Sequence, residues 1–255
     1  DLRQALQESR LERYLQPKLR LSDRRVTGLE ALIRWPGRSQ PIRADELIAL
    51  AEQTGLIKPL TRWVMEQSLE LRTRLLERGH DLDISVNISP NNLREPDFPV
   101  FVKRLMGSYH SHQGRITLEV TETSMMQDPE NSLKTLTTLE QAGIPLSIDD
   151  FGSGYSSLSY IKQLPASEIK IDRSLVKDLV RQADDRVIVR TTINMCHSLG
   201  YKVVAEGVED EETLGLLADM GCDEVQGYLL TPPLPFDAIL EWLDNDEAGK
   251  QRHSG

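Results

Sequence analysis

The chain has 255 residues, 39% hydrophobic and 27% charged, with a formal net charge of −10. These values describe a folded globular domain of a length ordinary for one α/β barrel, and they exclude a chain disordered as a whole. No run approaches the ~18 apolar residues of a membrane helix, and basic residues interspersed with acids argue against a nucleic-acid duplex as partner.

The chain opens without an initiator Met or a signal-peptide pattern, on a helical-looking stretch from Asp1 to Ser9. The expectation is a cytoplasmic domain of a longer protein, without membrane contact of its own and compatible with a membrane-anchored parent. Strand runs follow at Tyr14–Leu21 and Val26–Trp35. Only Ser22-Asp-Arg-Arg25 joins them, too short for a parallel crossover, so the first strand is predicted to be antiparallel in a hairpin. A helix-period segment spans Asp45–Arg78, then a strand Ile84–Ile88, a helix Asp97–Ser108, a strand Ile116–Val120 and a helix Asn131–Ala142. Strands at Pro145–Ile148 and Glu168–Ile171 precede a helix at Asp184–Leu199. A strand Val203–Ala205, helix Glu211–Met220, strand Val225–Leu229 and helix Phe236–Leu243 complete the series. Gly79, Gly143, Gly200 and Gly221 stand at helix C′-like positions. Strands alternating with helices imply a parallel sheet with right-handed crossovers, and eight of them fit a closed (β/α)8 TIM-like barrel. Residues 1–243 are read as one barrel domain, and Asp244–Gly255 as a polar, disordered tail.

Polar residues recur at the ends of these runs. Glu30 lies in the second, Asn87 near the end of the third, and Glu119 and Glu122 around the end of the fourth. Asp149 and Asp150 close the fifth, Lys170 and Asp172 the sixth, Glu206 and Glu209 the seventh, and Gln226 sits in the eighth. In a parallel barrel these ends share one mouth. Adjacent carboxylates such as Asp149 and Asp150 repel unless a cation lies between them. Oxygen donors with an amide and no His or Cys indicate Mg2+ or Mn2+, and the number of acids makes two ions plausible. Two such ions clamp a phosphoryl group and activate water, with Lys170 neutralising a phosphate oxygen or orienting that water: phosphodiester hydrolysis by in-line displacement. Asp149 and Asp150 could alternatively cap the next helix. His110 and His112 read as loop, Met125 and Met126 as packing, and Cys196 and Cys222 as buried reduced thiols.

Glu30-Ala-Leu-Ile-Arg-Trp35 resembles the motif that names the EAL-domain cyclic di-GMP phosphodiesterases. The similarity runs in order through Gln16-Pro-Lys18, Ala51-Glu-Gln-Thr-Gly-Leu-Ile57, Val86-Asn-Ile-Ser89 and Glu119-Val-Thr-Glu122. It continues through Asp149-Asp-Phe-Gly-Ser-Gly-Tyr-Ser-Ser-Leu158, Lys170-Ile-Asp172, Ala205-Glu-Gly-Val-Glu209, Gln226-Gly-Tyr228 and Pro233-Leu-Pro235. The resemblance implies a barrel with an antiparallel first strand and an enzyme that opens cyclic di-GMP to linear pGpG. It implies one metal on Glu30, Asn87, Glu119 and Asp149, and a second on Asp149 and Asp150, with Glu206 as ligand or general base. Lys170 would position phosphate or water. Gln16 and Arg34 would touch substrate, with Asp172 and Gln226 in the remaining substrate and metal surroundings. Glu122 and Glu209, with Gly152 and Ser153, would support the loop after Asp150. A homodimer pairing near that loop is implied as well.

The chain departs from the family pattern at Leu15 (usually Tyr), Ser153 (often Thr), Leu175 (often Phe) and Pro232 (often Arg), and Pro36–Arg43 is short. None of these removes a metal ligand. The alternative from the binding class is a catalytically silent cyclic di-GMP receptor signalling to a protein partner. By fold analogy alone, another divalent-metal barrel enzyme such as an enolising lyase is the third reading.

Overall fold

Four residues between the first two strand runs permit only a tight return, and β1 (Glu12–Arg20) and β2 (Val26–Arg34) do pair antiparallel, with Gln16 opposite Glu30. The computed structural model describes residues 1–37, 42–109, 116–152 and 161–253. After the hairpin come β3 (Asp83–Asn87), β4 (Ile116–Thr121), β5 (Leu146–Phe151), β6 (Glu168–Ile171), β7 (Lys202–Glu206) and β8 (Glu224–Gln226). From β2 onward each strand pairs parallel with the next, and β8 closes on β1 antiparallel, giving an eight-stranded closed barrel in chain order.

Helices surround this barrel: α1 (Leu2–Gln7), α2 (Ala44–Gln53), α3 (Ile57–Glu77), α4 (Pro90–Leu93), α5 (Phe98–Ser108) and α6 (Glu122–Met126). They continue with α7 (Pro129–Glu140), α8 (Arg173–Val176), α9 (Ala183–Ser198), α10 (Glu211–Asp219) and α11 (Phe236–His253). Among the described residues, no helix is long and apolar enough to cross a membrane.

Strand side chains alternate between two faces. One set, including Leu29, Ile84, Leu118, Ile148, Ile169, Val203 and Val225, is buried against the helices. Each such burial contributes about 1.5–3 kcal/mol. The core therefore lies between sheet and helices, in one cluster around β2–β5 and another around β6–β8. The other set faces the barrel axis and is polar: Lys18, Glu30, Ser85, Glu119, Ser147, Glu168, Lys170 and Gln226 are all buried. Buried charges persist only when paired, and these cross the barrel to one another.

Three expectations need correction. The single helix over Asp45–Arg78 is two helices, α2 and α3. Gly55, at φ +70°, breaks them, with its N–H donating to Glu52 O and that of Leu56 to Ala51 O. This double bond is a Schellman ending that overrides the apolar periodicity running through it. The tail expected to be disordered after Leu243 is instead helical to His253; Glu247, Lys250, Gln251 and Arg252 are strong helix formers despite their polarity, and Ala248 is the strongest of all. Finally, β5 does not stop at Ile148 but carries Asp149 and Asp150 within it, with a register shift between Ile148 and Phe151.

Candidate metal centre

Register brings the polar residues of different strands to one level. Glu30 lies opposite Gln16, Asn87 opposite Glu119, Thr121 opposite Asp149, and Glu206 opposite Gln226. Parallel strands ending together leave these groups at the C-terminal mouth. The bulge in β5 adds a second direction, because Asp150 sits at φ +55°, a left-handed conformation uncommon for an aspartate. Two successive carboxylates thereby turn toward the same mouth, and Asp149 Oδ1 accepts from the Asp150 N–H at 2.9 Å.

Lys170 is the hub. Its fully buried Nζ lies 2.6 Å from Glu206 Oε1, 2.8 Å from Glu119 Oε2, and 3.3 Å from both Glu30 Oε2 and Asp149 Oδ1. Glu30 is the second node: Asn87 Nδ2 and Gln226 Nε2 each donate to it at 2.7 Å. Gln226 also donates to Gln16 Oε1 at 3.0 Å, and its own Oε1 is buried without a partner among the described residues.

Two groups of acids place one oxygen each within 4.8 Å of the others: Glu30, Glu119 and Asp149, and Asp149, Asp150 and Glu206. Asp149 belongs to both. An all-oxygen donor set with the Asn87 amide beside it fits a hard divalent cation. The unpartnered Gln226 oxygen leaves one further acceptor next to Glu30.

Lys170 alone does not balance the acids that converge on it. Burial, with Glu206, Glu119 and Glu30 adding repulsion against the pull of Lys170, holds the Asp149 pKa well above the usual carboxylate range. Burial also raises Asp150, helped by Asp172. Glu206 is pushed up to about 7 by burial and Glu30, with Lys170 opposing. For Lys170, burial works toward neutrality, but Asp149, Glu119, Glu206 and Glu30 outweigh it and keep the ammonium charged.

The folded domain thus keeps the Glu206 proton up to about pH 7, while its ordinary value is 4.5. Between these values the folded state binds the additional proton, so metal-free stability falls as pH rises. Glu206→Gln removes this titration. The metal-free variant is expected to melt several degrees above the parent at about pH 8, the gap closing as pH falls to about 4.5. Melting curves showing the same gap at both ends of the range would contradict the assignment.

The remaining candidate residues lie around this cluster. Glu122 Oε2 accepts from the Gly152 N–H at 3.0 Å, touching the start of the loop after β5. Ser153 lies outside the described residues, as do His110, His112 and the stretch on which helix capping by Asp149 and Asp150 would depend. Glu209 pairs with Arg173 at 2.7 Å. Asp172 caps α8 through the Ser174 N–H at 3.0 Å and does not enter the carboxylate cluster. Arg34 stays at the rim, stacked 5.7 Å over the Tyr14 ring. Met125 is buried in the core, and Cys196 and Cys222 are buried free thiols that burial pushes up to about 11 and about 12.

Two cavities meet at Asp149. One of about 490 Å3 runs past Leu32, Ile48, Glu52, Asn87 and Asp150. The other, about 220 Å3, is lined by Gln16, Glu30, Arg173, Glu206 and Tyr228. Sequence reasoning passed over Arg173, and also Lys18, Ser147 and Glu168 beneath the cluster. The signal for the last three was spacing: each stands two residues before a mouth residue or after one, on the same strand face.

The family described as EAL domain matches residues 1–233. The bifunctional diguanylate cyclase/cyclic di-GMP phosphodiesterase MucR of Pseudomonas aeruginosa is 38% identical over 242 residues, 94% of this chain and 35% of that protein. The cyclic di-GMP phosphodiesterase NbdA of the same organism is 39% identical over 245 residues, 95% of this chain and 31% of that protein. The chain therefore spans about a third of the length of these curated relatives. Among solved structures, the PaMucR phosphodiesterase in complex with c-di-GMP superposes with a TM-score of 0.88 at 38% identity, covering 94% of this chain and 98% of that one.

Proposed function

This chain belongs to the EAL-domain family, and from that premise we propose that it hydrolyses cyclic di-GMP to linear pGpG with Mg2+ or Mn2+, two ions being held at the mouth. The observation that carries the proposal is the sharing of Asp149 between two carboxylate groups, Glu30–Glu119–Asp149 and Asp149–Asp150–Glu206. Asn87 completes the first group. Bound there, divalent cations lower the pKa of water and neutralise charge on the phosphoryl oxygens.

The chain's own residues supply the rest. Lys170, kept charged by the acids around it, holds a phosphoryl oxygen or orients the water. Glu206, whose Oε1 lies 2.6 Å from Lys170 Nζ beside the second carboxylate group, is the carboxylate placed to accept the water's proton. In-line attack forms the new P–O bond and breaks the bond to the 3′-oxygen, which leaves protonated, so one water opens the ring. Arg34 binds phosphate from the rim, Gln16 and Gln226 line the substrate side, and Asp172 acts through its charge on Asp150. The two cavities flanking Asp149 suit a ligand of two nucleotide halves with its phosphates between them. Glu122 and Glu209, with Gly152 and Ser153, serve the loop after Asp150. A homodimer in the cytoplasm, paired near that loop, belongs to the same proposal.

A silent cyclic di-GMP receptor is the competing reading, and the presence of every expected acid weighs against it. Incubation with cyclic di-GMP and Mg2+ or Mn2+, followed by chromatography, separates the two. Accumulating pGpG supports hydrolysis; saturable binding with the cyclic dinucleotide recovered intact supports the receptor. Ca2+ in place of Mg2+ is expected to suppress turnover, because its longer, irregular coordination misplaces the reacting groups.

A further inference from the structure

Lys18 enters the barrel from β1, opposite Gln226, and is 4% exposed. It reaches across the interior to β4, where its Nζ lies 2.9 Å from Glu119 Oε1, and to β6, where it lies 2.9 Å from Glu168 Oε1. The other oxygen of Glu119 takes Lys170 at 2.8 Å. Glu119 is thus held by one ammonium on each oxygen. A carboxylate terminal torsion is otherwise broad, so with one oxygen released the group can pivot about its remaining bond.

We propose that Lys18 is a positioning residue of the metal centre: from the barrel floor it holds Glu119 Oε1, so that Oε2 faces Glu30 and Asp149 at the mouth. The inference rests on reading those carboxylates as metal ligands. Its competitor is a counter-ion role, in which Lys18 merely neutralises Glu168. Glu168 already has a second donor in Ser147 Oγ at 2.9 Å, and neutralising it does not require the bond to Glu119. The electrostatics agree with the geometry. Burial would raise the Glu119 pKa, yet Lys170 and Lys18 together hold it down to about 2.

The double variant Lys18→Met/Glu168→Gln separates the roles. It removes one positive and one negative charge, so the net charge of the barrel interior is unchanged, and it leaves no unpaired Glu168 carboxylate on the floor. The parent domain and the variant are titrated with Mn2+ alone, free Mn2+ being read by electron paramagnetic resonance, alongside metal-free melting. A counter-ion role predicts unchanged Mn2+ affinity. Positioning predicts near-parental melting with affinity weakened about tenfold or more, the scale seen when an outer partner of a metal ligand is lost. A smaller loss overturns the inference. Should that variant fail to fold, Lys18→Gln is read against the same threshold. A parent that takes up no Mn2+ would sink the metal reading itself and this inference with it, whereas a parent that binds while the variant binds equally sinks only the role of Lys18.

Discussion

Replacing Glu30 by alanine is expected to abolish measurable opening of cyclic di-GMP, a loss of at least about 10²–10³-fold in kcat, the scale on which single electrostatic groups act in a closed site. The size follows from what Glu30 holds. It accepts from Asn87 and Gln226 at 2.7 Å and stands 3.3 Å from Lys170. Alanine removes one acid of the first carboxylate group and also frees two amides from β3 and β8. Mn2+ affinity is expected to fall together with turnover, because the same oxygens serve both. Melting in the absence of metal should change little, since removing one acid from a crowded group relieves repulsion as it removes contacts. A variant that retains turnover within about tenfold of the parent would show that Glu30 is not in the reacting centre.

Lys170→Met is expected to lower stability as well as turnover. The side chain is completely buried, and four carboxylates lie within 3.3 Å of its nitrogen. Without it, Glu30, Glu119, Asp149 and Glu206 face one another across the barrel axis. Leaving buried charge uncompensated costs about 3–5 kcal/mol, which for a domain of this size lowers Tm by roughly 10 °C. Mn2+ should recover most of that loss, since a divalent cation supplies the missing charge, and the Mn2+-induced rise in Tm should exceed that of the parent. Turnover should still fall by about 10²–10³-fold, because the cation restores charge without restoring the ammonium proposed to meet the phosphoryl group. An unchanged metal-free Tm would mean that the acids at the mouth are already neutral without Lys170.

The two variants together separate ligand loss from counter-ion loss. Glu30→Ala weakens metal binding at nearly constant stability, whereas Lys170→Met weakens stability and leaves metal binding strong.

Much of this could be read from residue order alone. The hairpin was legible because Ser22–Arg25 is shorter than any parallel crossover, and the mouth because acids and amides recur at strand ends. What escaped was of two kinds. At Gly55 the apolar period continues straight through a helix ending, so the backbone signal was overridden by the pattern; only the left-handed glycine reveals two helices. After Leu243 the reverse holds: the residues are mostly polar, and helix propensity outweighs that polarity. At the site, Lys18 stands in the Gln16-Pro-Lys18 motif, which by itself does not mark a barrel-facing position. Its alternation with Gln16 already placed both on one strand face, but its partner Glu119 stands 101 residues away and opposite in the barrel. No local pattern carries that distance. The left-handed Asp150 is equally invisible in sequence, since positive φ is uncommon for any non-glycine residue and nothing in the order of residues marks which aspartate adopts it.

The most direct test of the account is turnover of cyclic di-GMP by this domain in water enriched in oxygen-18, with Mn2+ present, and mass analysis of the product. The account predicts linear pGpG carrying a single oxygen-18 on its terminal 5′-phosphate, with no product once the metal is chelated. Cyclic di-GMP that binds yet is recovered unopened at saturating metal would contradict it, as would a linear product without the label.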